Sequence, residues 1–417
     1  MLTNGIFRNR WWMVFGAVIA LIVNTGVISN FAFAVFLKPI TEELGIGRAT
    51  LGSALVLSGL VGTCIGPLFG KALDYYGLRA VHMPMIFMFA VGTALLSQMR
   101  LPYVFIVALF MFQHLFSTSQ SPVAYSKAIT AWFDKDRGLA LGIAIAGVGL
   151  GVALIPAFAN YVIVHYGWRW AYVALGGAIL VLALIPVALF EREPPVPPDR
   201  LRGAASAALP GVMLKEAIRG WRFWGMTVAF FIAIVSINGT LTQVVALLTD
   251  RGESLQSAVF ALSMSGIALT FGRILSGFCL DRFHGPYVAC AFFLSAGLGM
   301  ALLAADISPF IGTVLCGLGI GAEVDLMAFL VSRYFGLRAF GAVYGLMFAI
   351  FSLGVGMGPF LMGLSHDLLH SYVPMMIVFE GALALTIIVL LSLGPYRFAS
   401  TRDRAPARPL AASEGAA

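Results

Sequence analysis

The sequence predicts an all-α membrane protein of twelve transmembrane helices, arranged as two pseudo-symmetric six-helix bundles. Three observations carry that prediction: an apolar composition, twelve apolar runs of spanning length, and short motifs that repeat between the two halves. Of 417 residues, 60% are hydrophobic and 11% charged. A soluble domain carries about a quarter charged residues, so lipid is the expected solvent. The 46 glycines suit helices that pack closely in a membrane.

A spanning helix needs roughly 20 apolar residues. The runs are 11–37, 49–70, 81–98, 103–126, 138–160, 169–190, 222–248, 256–280, 286–304, 309–331, 340–363 and 372–394. The first is too long for a signal-peptide core. Most connections are short, so neighbouring helices run antiparallel. The exception begins Glu191-Arg-Glu-Pro-Pro-Val-Pro-Pro-Asp-Arg200, with the charge and proline of a linker. Four regions follow: a bundle over 1–190, a cytoplasmic linker over 191–221, a second bundle over 222–395, and a tail over 396–417 expected to lack order. Pro210 to Trp221 reads as a short interfacial helix, with Lys215, Arg219 and Arg222 near headgroups.

Positive charge sets the orientation. With the N-terminus in the cytoplasm, Lys38, Arg48, Arg100, Arg169 and Arg251 lie outside and Arg273 lies within a helix; every other Lys and Arg is cytoplasmic. The expected site is the cell inner (cytoplasmic) membrane, both termini cytoplasmic. The net charge of +7 then belongs to the membrane surface, and no nucleic-acid partner is called for. Cys64, Cys279, Cys290 and Cys316 all fall in apolar runs without metal-ligand or disulfide spacing. No metal or other cofactor is expected. Gly147-Val-Gly-Leu-Gly151 follows no strand, so close helix packing explains it better than nucleotide binding. No nucleophile–base set appears, which argues against an enzyme; Ser365-His366-Asp367 reads as a solvated turn.

The repeat is internal. Gly70-Lys-Ala-Leu-Asp74 matches Gly277-Phe-Cys-Leu-Asp281 at an offset of 207. Leu150-Gly-Val-Ala-Leu-Ile-Pro156 matches Leu353-Gly-Val-Gly-Met-Gly-Pro359, and Gly138 and Gly142 match Gly341 and Gly345, all at an offset of 203. Duplicated halves are the layout of secondary transporters, with the substrate near the midplane.

These residues resemble the major facilitator superfamily. Gly70-Lys-Ala-Leu-Asp74-Tyr-Tyr-Gly77-Leu-Arg79 is similar to its G-x-x-x-D-x-x-G-x-R loop. The resemblance implies the major facilitator fold, a gating role for Asp74, Arg79 and Asp281, and a cavity lined by helices 1, 4, 7 and 10. A narrower resemblance is to the monocarboxylate transporter and oxalate/formate antiporter branch. It rests on Phe36-Leu-Lys-Pro39, on Trp132-Phe-Asp-Lys-Asp-Arg-Gly-Leu-Ala-Leu-Gly142 with Ala146 to Gly151, and on Arg273-Ile-Leu-Ser-Gly277. There are departures. Trp11-Trp12 stands where the monocarboxylate branch has an acidic-glycine-glycine entry. Its helix 1 lysine falls at about Phe31, and the antiporter's helix 11 cation at about Phe351. Aromatic-cage positions fall at Phe31, Val148, Ile320 and Val324. Neither a lactate-specific nor an oxalate-specific carrier is implied.

Arg273 is the most informative residue. A guanidinium inside a spanning helix costs about 2.5 kcal/mol or more and keeps its proton, so it needs an anion. Its donor fork suits a carboxylate, and the resemblance strengthens its reading as the substrate anchor. Glu323 and Asp325 are the candidate proton-coupling groups. Arg273 lies about 26 Å from the outer end of its helix and Glu323 about 21 Å from the end of its own, so Glu323 is the expected partner; Asp325, about 200° away around the helix, is the second candidate. With one deep cation and Lys127 shallow, a monoanion is favoured over a dianion. Further candidate substrate contacts are Phe31, Asn24, His114, Ser119, Gln120, Asn238 and Gln243. Each polar one could equally be a helix–helix hydrogen bond. The expected activity is proton-coupled monocarboxylate symport by alternating access, with organic anion exchange and a non-transporting membrane sensor as alternatives. The expected partners are a small organic acid anion, a proton and the bilayer, with the chain working as a monomer.

Overall fold

In the computed structural model, described residues run from 10 to 398 apart from 77, 123, 126–128, 130–132, 134–136, 192–210 and 337. Among them regular structure is helical, save one isolated bridge between Gly211 and Gly336. The spanning elements are α1 (Trp11–Leu44), α2 (Arg48–Tyr76), α3 (Arg79–Gln98), α4 (Tyr103–Leu115), α5 (Arg137–Tyr166), α6 (Trp168–Phe190), α7 (Trp221–Asp250), α8 (Leu255–Leu280), α9 (Gly285–Ala304), α10 (Pro309–Phe335), α11 (Phe340–Leu369) and α12 (Val373–Leu391). Ten are long and apolar enough to cross a membrane; Arg48–Gly62 of α2 and Tyr103–Leu115 of α4 are shorter apolar helices. Several helices outrun their apolar stretches by a turn or more. Backbone hydrogen bonding continues into the interface, where hydropathy no longer marks it.

The pairings show the pseudo-symmetry. Within the first half α1 packs on α5, α2 on α4 and α3 on α6; within the second, α7 packs on α11, α8 on α10 and α9 on α12. Each pair maps onto the other by a shift of six helices. Between halves α2 packs on α11 and α5 on α8, which are again equivalent under that shift. Both cross-half seams run on glycine. A Cβ on Gly149 of α5 would overlap the Thr270 hydroxyl of α8, and one on Gly266 of α8 would lie 2.5 Å from the Ala153 nitrogen. In the other seam, a Cβ on Gly356 of α11 would lie 2.8 Å from the Val56 Cα, and one on Gly363 2.7 Å from the Ala49 nitrogen. With little driving force between helices in lipid, backbone-to-backbone packing of this kind holds them together.

α1 is broken where its sequence turns polar. Asn24 leaves the helix and its side-chain oxygen accepts from the Val27 N–H at 2.9 Å, capping the helix that resumes at Thr25 and passes through a π turn over Val27–Phe31. The region 210–221 contains one helical turn, Leu214–Ala217, and Val212 N–H donates to the Phe335 carbonyl at the end of α10. Glu191, read from sequence as the start of the linker, is instead packed inside the first half at 4% exposure. The rest of 192–210, the tail 399–417, Lys127 and most of Trp132–Gly138 lie outside the described residues.

The Ser365-His366-Asp367 run corrects the expectation of a solvated turn. It forms the last turns of α11, and Ser365 is buried. The Asp367 carboxylate accepts from the Arg48 and Ala49 backbone N–H groups at 3.1 and 2.8 Å, so α11 caps the N-terminus of α2 across the halves. Asp250, ending α7, meets Lys38 at 2.6 Å and Arg48 at 2.5 Å. Arg48 also donates to the Tyr372 hydroxyl. The ion pairs between halves that involve described residues on both sides all lie at this end of the molecule.

Candidate functional site

α8 and α10 are in close contact because their facing positions are small. A Cβ on Gly317 would overlap the Ser265 carbonyl, and one on Gly321 the Leu269 carbonyl. Residues four apart share a helix face, so one further step along both helices brings Asp325 opposite Arg273. The Arg273 Nε lies 3.3 Å from the Asp325 carboxylate and donates to the Gly321 carbonyl at 3.4 Å. Neither terminal guanidinium nitrogen donates a hydrogen bond to another described residue. Both side chains keep some accessible surface, 20% for Arg273 and 36% for Asp325. On α8 the exposed apolar stripe is Phe271, Ile274 and Phe278. Arg273 lies well over 90° around the helix from the middle of that stripe, at about 100° per residue, so its accessible surface faces the interior of the bundle.

Glu323 stands elsewhere. It shares a face with Cys316 and Gly319, which touch Ala296 of α9. It is fully buried, and neither carboxylate oxygen has a hydrogen-bond partner among the described residues. The depth argument that favoured Glu323 beside Arg273 therefore gives way to helix rotation. Gly317 and Gly321 fix which face of α10 meets α8, and Asp325, not Glu323, lies on it.

The remaining candidates divide by what their polar atoms do. Asn24 caps α1. Asn238 donates from its amide to the Val355 carbonyl at 2.8 Å, and Gln243 to the Pro359 carbonyl at 3.1 Å, tying α7 to α11. Gln243 also accepts from the Tyr372 hydroxyl at 3.3 Å. Ser119 donates to the Phe116 carbonyl, and the Gln120 amide donates to the Tyr125 hydroxyl at 2.9 Å. The Gln120 Oε1 is buried without a partner among the described residues. His114 places Nδ1 3.1 Å from the Phe110 carbonyl, and Phe31 is packed in the core. The structure brings none of these seven into hydrogen-bond contact with the Arg273–Asp325 pair. Of the gating candidates, Arg79 donates to the Ala188 carbonyl of α6, Asp281 is exposed at the C-terminus of α8, and the Asp74 side chain lies outside what the structure describes.

One buried imidazole–carboxyl pair escaped sequence reasoning. His82 of α3, fully buried, directs Nδ1 at both Glu191 oxygens, at 2.9 and 3.0 Å, and Nε2 at the Ser119 carbonyl, at 2.7 Å. Nε2–H donates to the Ser119 carbonyl, and the imidazole and the Glu191 carboxyl share a proton at Nδ1. The pair ties α3, the turn after α4 and the end of α6 together. Its partners are 109 residues apart, and no spacing signal links them.

The α8–α10 contact gives the first testable expectation. Gly321→Val forces α10 off α8 and separates Asp325 from Arg273. We expect a stability loss of about 1–3 kcal/mol, read as a lower unfolding temperature of the purified protein. Gly297→Val, at a position of α9 with open space around it, leaves that temperature unchanged.

Residues 17–359 match the family model described as Major Facilitator Superfamily. The chain is 26% identical over 286 residues to the "MFS-type transporter pytF" of Aspergillus terreus, an alignment covering 67% of this chain and 91% of that one. It is 24% identical to "Monocarboxylate transporter 4" of Gallus gallus, over 97% of this chain and 86% of the relative. Among solved structures it superposes on a bacterial homolog of the human lysosomal transporter Spinster with a TM-score of 0.64 at 17% identity, covering 93% of this chain and 96% of that chain; at that identity the likeness shows the fold. With twelve helices in two equivalent halves and a family match over most of its length, the chain is a multi-pass membrane protein that belongs to the Major Facilitator Superfamily of transporters.

Proposed function

We propose that this transporter carries a small organic acid monoanion together with a proton, by alternating access across the cytoplasmic membrane, with both termini on the cytoplasmic side. The observation that carries the reading is the Arg273 guanidinium, whose two terminal nitrogens donate no hydrogen bond to a described residue, paired with the carboxylate of Asp325. Two parallel N–H donors fit the two oxygens of a carboxylate. Ionised Asp325 competes for the cation; protonated Asp325 leaves it to the substrate. Proton and monoanion then load as a neutral set, which lowers the cost of carrying charge through the low-dielectric interior. The vertebrate relative named a monocarboxylate transporter supports the substrate class of this reading.

The ion pairs around Arg48, Asp250 and Asp367 close the end that the positive-charge rule assigns to the outside. Loading then occurs from the cytoplasmic side in this conformation, and outward opening requires the network to separate.

Reconstituted protein tests the proposal. Lactate, pyruvate and benzoate are offered to proteoliposomes, once with an inward proton gradient and once with internal counter-anion but no gradient. Accumulation driven by the gradient alone is the expected result. Uptake only against counter-anion overturns symport in favour of exchange, and no uptake or counterflow of any of the three acids overturns the transport reading of the site.

A further inference from the structure

The Arg48–Asp250 network holds one titratable group that the transport cycle above does not use. His366 lies in the last turn of α11, its ring tilted against Tyr372 with centroids 4.9 Å apart at 33°. Its Nε2 is 3.6 Å from the Asp250 carboxylate and its Nδ1 3.7 Å from that of Asp367. Both distances are too long for hydrogen bonds, and Nδ1 is buried without such a partner among the described residues. The first half already claims both acids. Asp250 meets Lys38 and Arg48 at 2.6 and 2.5 Å, and Asp367 accepts from the Arg48 and Ala49 backbone N–H groups. Two more titratable groups stand beside His366: the Tyr372 hydroxyl, which accepts from Arg48, and exposed His370, whose backbone N–H donates to the His366 carbonyl.

These charges sort by half. His366, Asp250, Asp367 and Tyr372 belong to the second, where Asn238 and Gln243 tie α7 to α11 and the Tyr372 hydroxyl reaches Gln243. Lys38 and Arg48 belong to the first. A proton on His366 is therefore attracted by the two acids whether this end is closed or open. Lys38 and Arg48 repel it only when the end is closed. Arg48 Nη1 and His366 Nε2 approach the same Asp250 oxygen, so they are at most about 6 Å apart. Once the halves part, the acids lose their first-half donors, and a protonated imidazole supplies replacements. The proton thus binds the open conformer more tightly, and by linkage it shifts the population toward that conformer.

We propose that His366 is a pH switch, whose protonation weakens the closure of the two halves at the Arg48–Asp250 end. With that end outermost, acid outside opens the transporter toward the proton source. The switch is separate from the Arg273 site and takes from the proposed function only the assignment of this end to the outside.

The test uses the full-length protein in detergent without substrate, so its outcome does not depend on the role given to Arg273. Spin labels stand at Glu42→Cys and Glu253→Cys, exposed positions on the two halves, with the four native cysteines replaced. Distances are measured at pH 8 and pH 5.5, which span the titration of an imidazole. With His366 present, the ratio of long to short distances rises about tenfold on acidification, the size expected for one like-charge contact near a protein surface. In His366→Gln the ratio keeps its pH 8 value at both pH values. In His366→Lys, charged at both, the long population is already present at pH 8. Asp325→Asn keeps the full response, because the Arg273 pair stands outside this network. A ratio independent of pH with His366 present overturns the proposal, as does a response that survives in His366→Gln or is lost in Asp325→Asn. Should His366→Gln fail to fold, His366→Lys decides, and a short population there at pH 8 overturns the proposal.

Discussion

Arg273→Ala is expected to lose acid binding by on the order of 100-fold or more, and Asp325→Asn to keep binding but lose its coupling to pH. The two variants separate the roles of one ion pair. Removing the guanidinium leaves the substrate carboxylate without its two charge-assisted hydrogen bonds, in a site where water does not replace them. Arg273→Lys restores the charge but not the planar fork, so it recovers only part of the affinity. Asp325→Asn removes the group that competes for Arg273 when ionised. In the wild type, binding tightens as pH falls, because protonation of Asp325 releases the fork. Above the pH at which Asp325 ionises, affinity falls by about tenfold per pH unit, one proton being bound with each anion. In Asp325→Asn that slope is flat, counterflow persists, and a proton gradient no longer drives accumulation. Glu323→Gln is the control on the second acid. Glu323 lies on the α9 side of α10, away from Arg273, so the wild-type pH slope survives in it. A flat slope in Glu323→Gln with a normal slope in Asp325→Asn would reverse the assignment of the proton site.

How far the sequence foretold this arrangement depends on what each feature needs. The spans, their order and the equivalence of the halves need only hydropathy and motif spacing, and both are local. Arg273 stood out because a guanidinium in an apolar run demands an anion whatever surrounds it. Its protein partner needed more: the rotation of α10 about its axis. That rotation has a trace in the sequence, since Gly317 and Gly321 precede Asp325 at helical spacing and small residues mark the face that meets a neighbour. Comparing depths alone favoured Glu323 because depth ignores rotation. The His82–Glu191 pair needed the full packing of α3 against α6, which no periodicity carries. Ser365-His366-Asp367 looked like a turn because hydropathy ends before the helix does; what continues α11 is backbone hydrogen bonding and the capping of α2 by Asp367.

Gly356→Leu is expected to trap the protein with its Arg48–Asp250 end open. The α2–α11 seam exists only when the halves are closed at that end. There a Cβ on Gly356 already lies 2.8 Å from the Val56 Cα, a backbone atom that no rotamer change can move. A leucine at this point costs the closed conformation about 2–3 kcal/mol in overpacking and costs the open one nothing, because the surfaces have parted. For a transporter whose two states differ by a few kcal/mol, a shift of that size changes their ratio by about 100-fold. The measurement is a distance distribution between spin labels on Glu42→Cys and Glu253→Cys, exposed positions near that end of the first and second halves, with the four native cysteines replaced. The wild type gives a short population and Gly356→Leu a long one, accompanied by loss of net transport. Gly297→Leu, on the open side of α9, leaves the distribution as in the wild type. An unchanged distance in folded Gly356→Leu would mean that the seam yields without parting, and that the Lys38, Arg48, Asp250 and Asp367 contacts, rather than glycine packing, hold that end shut.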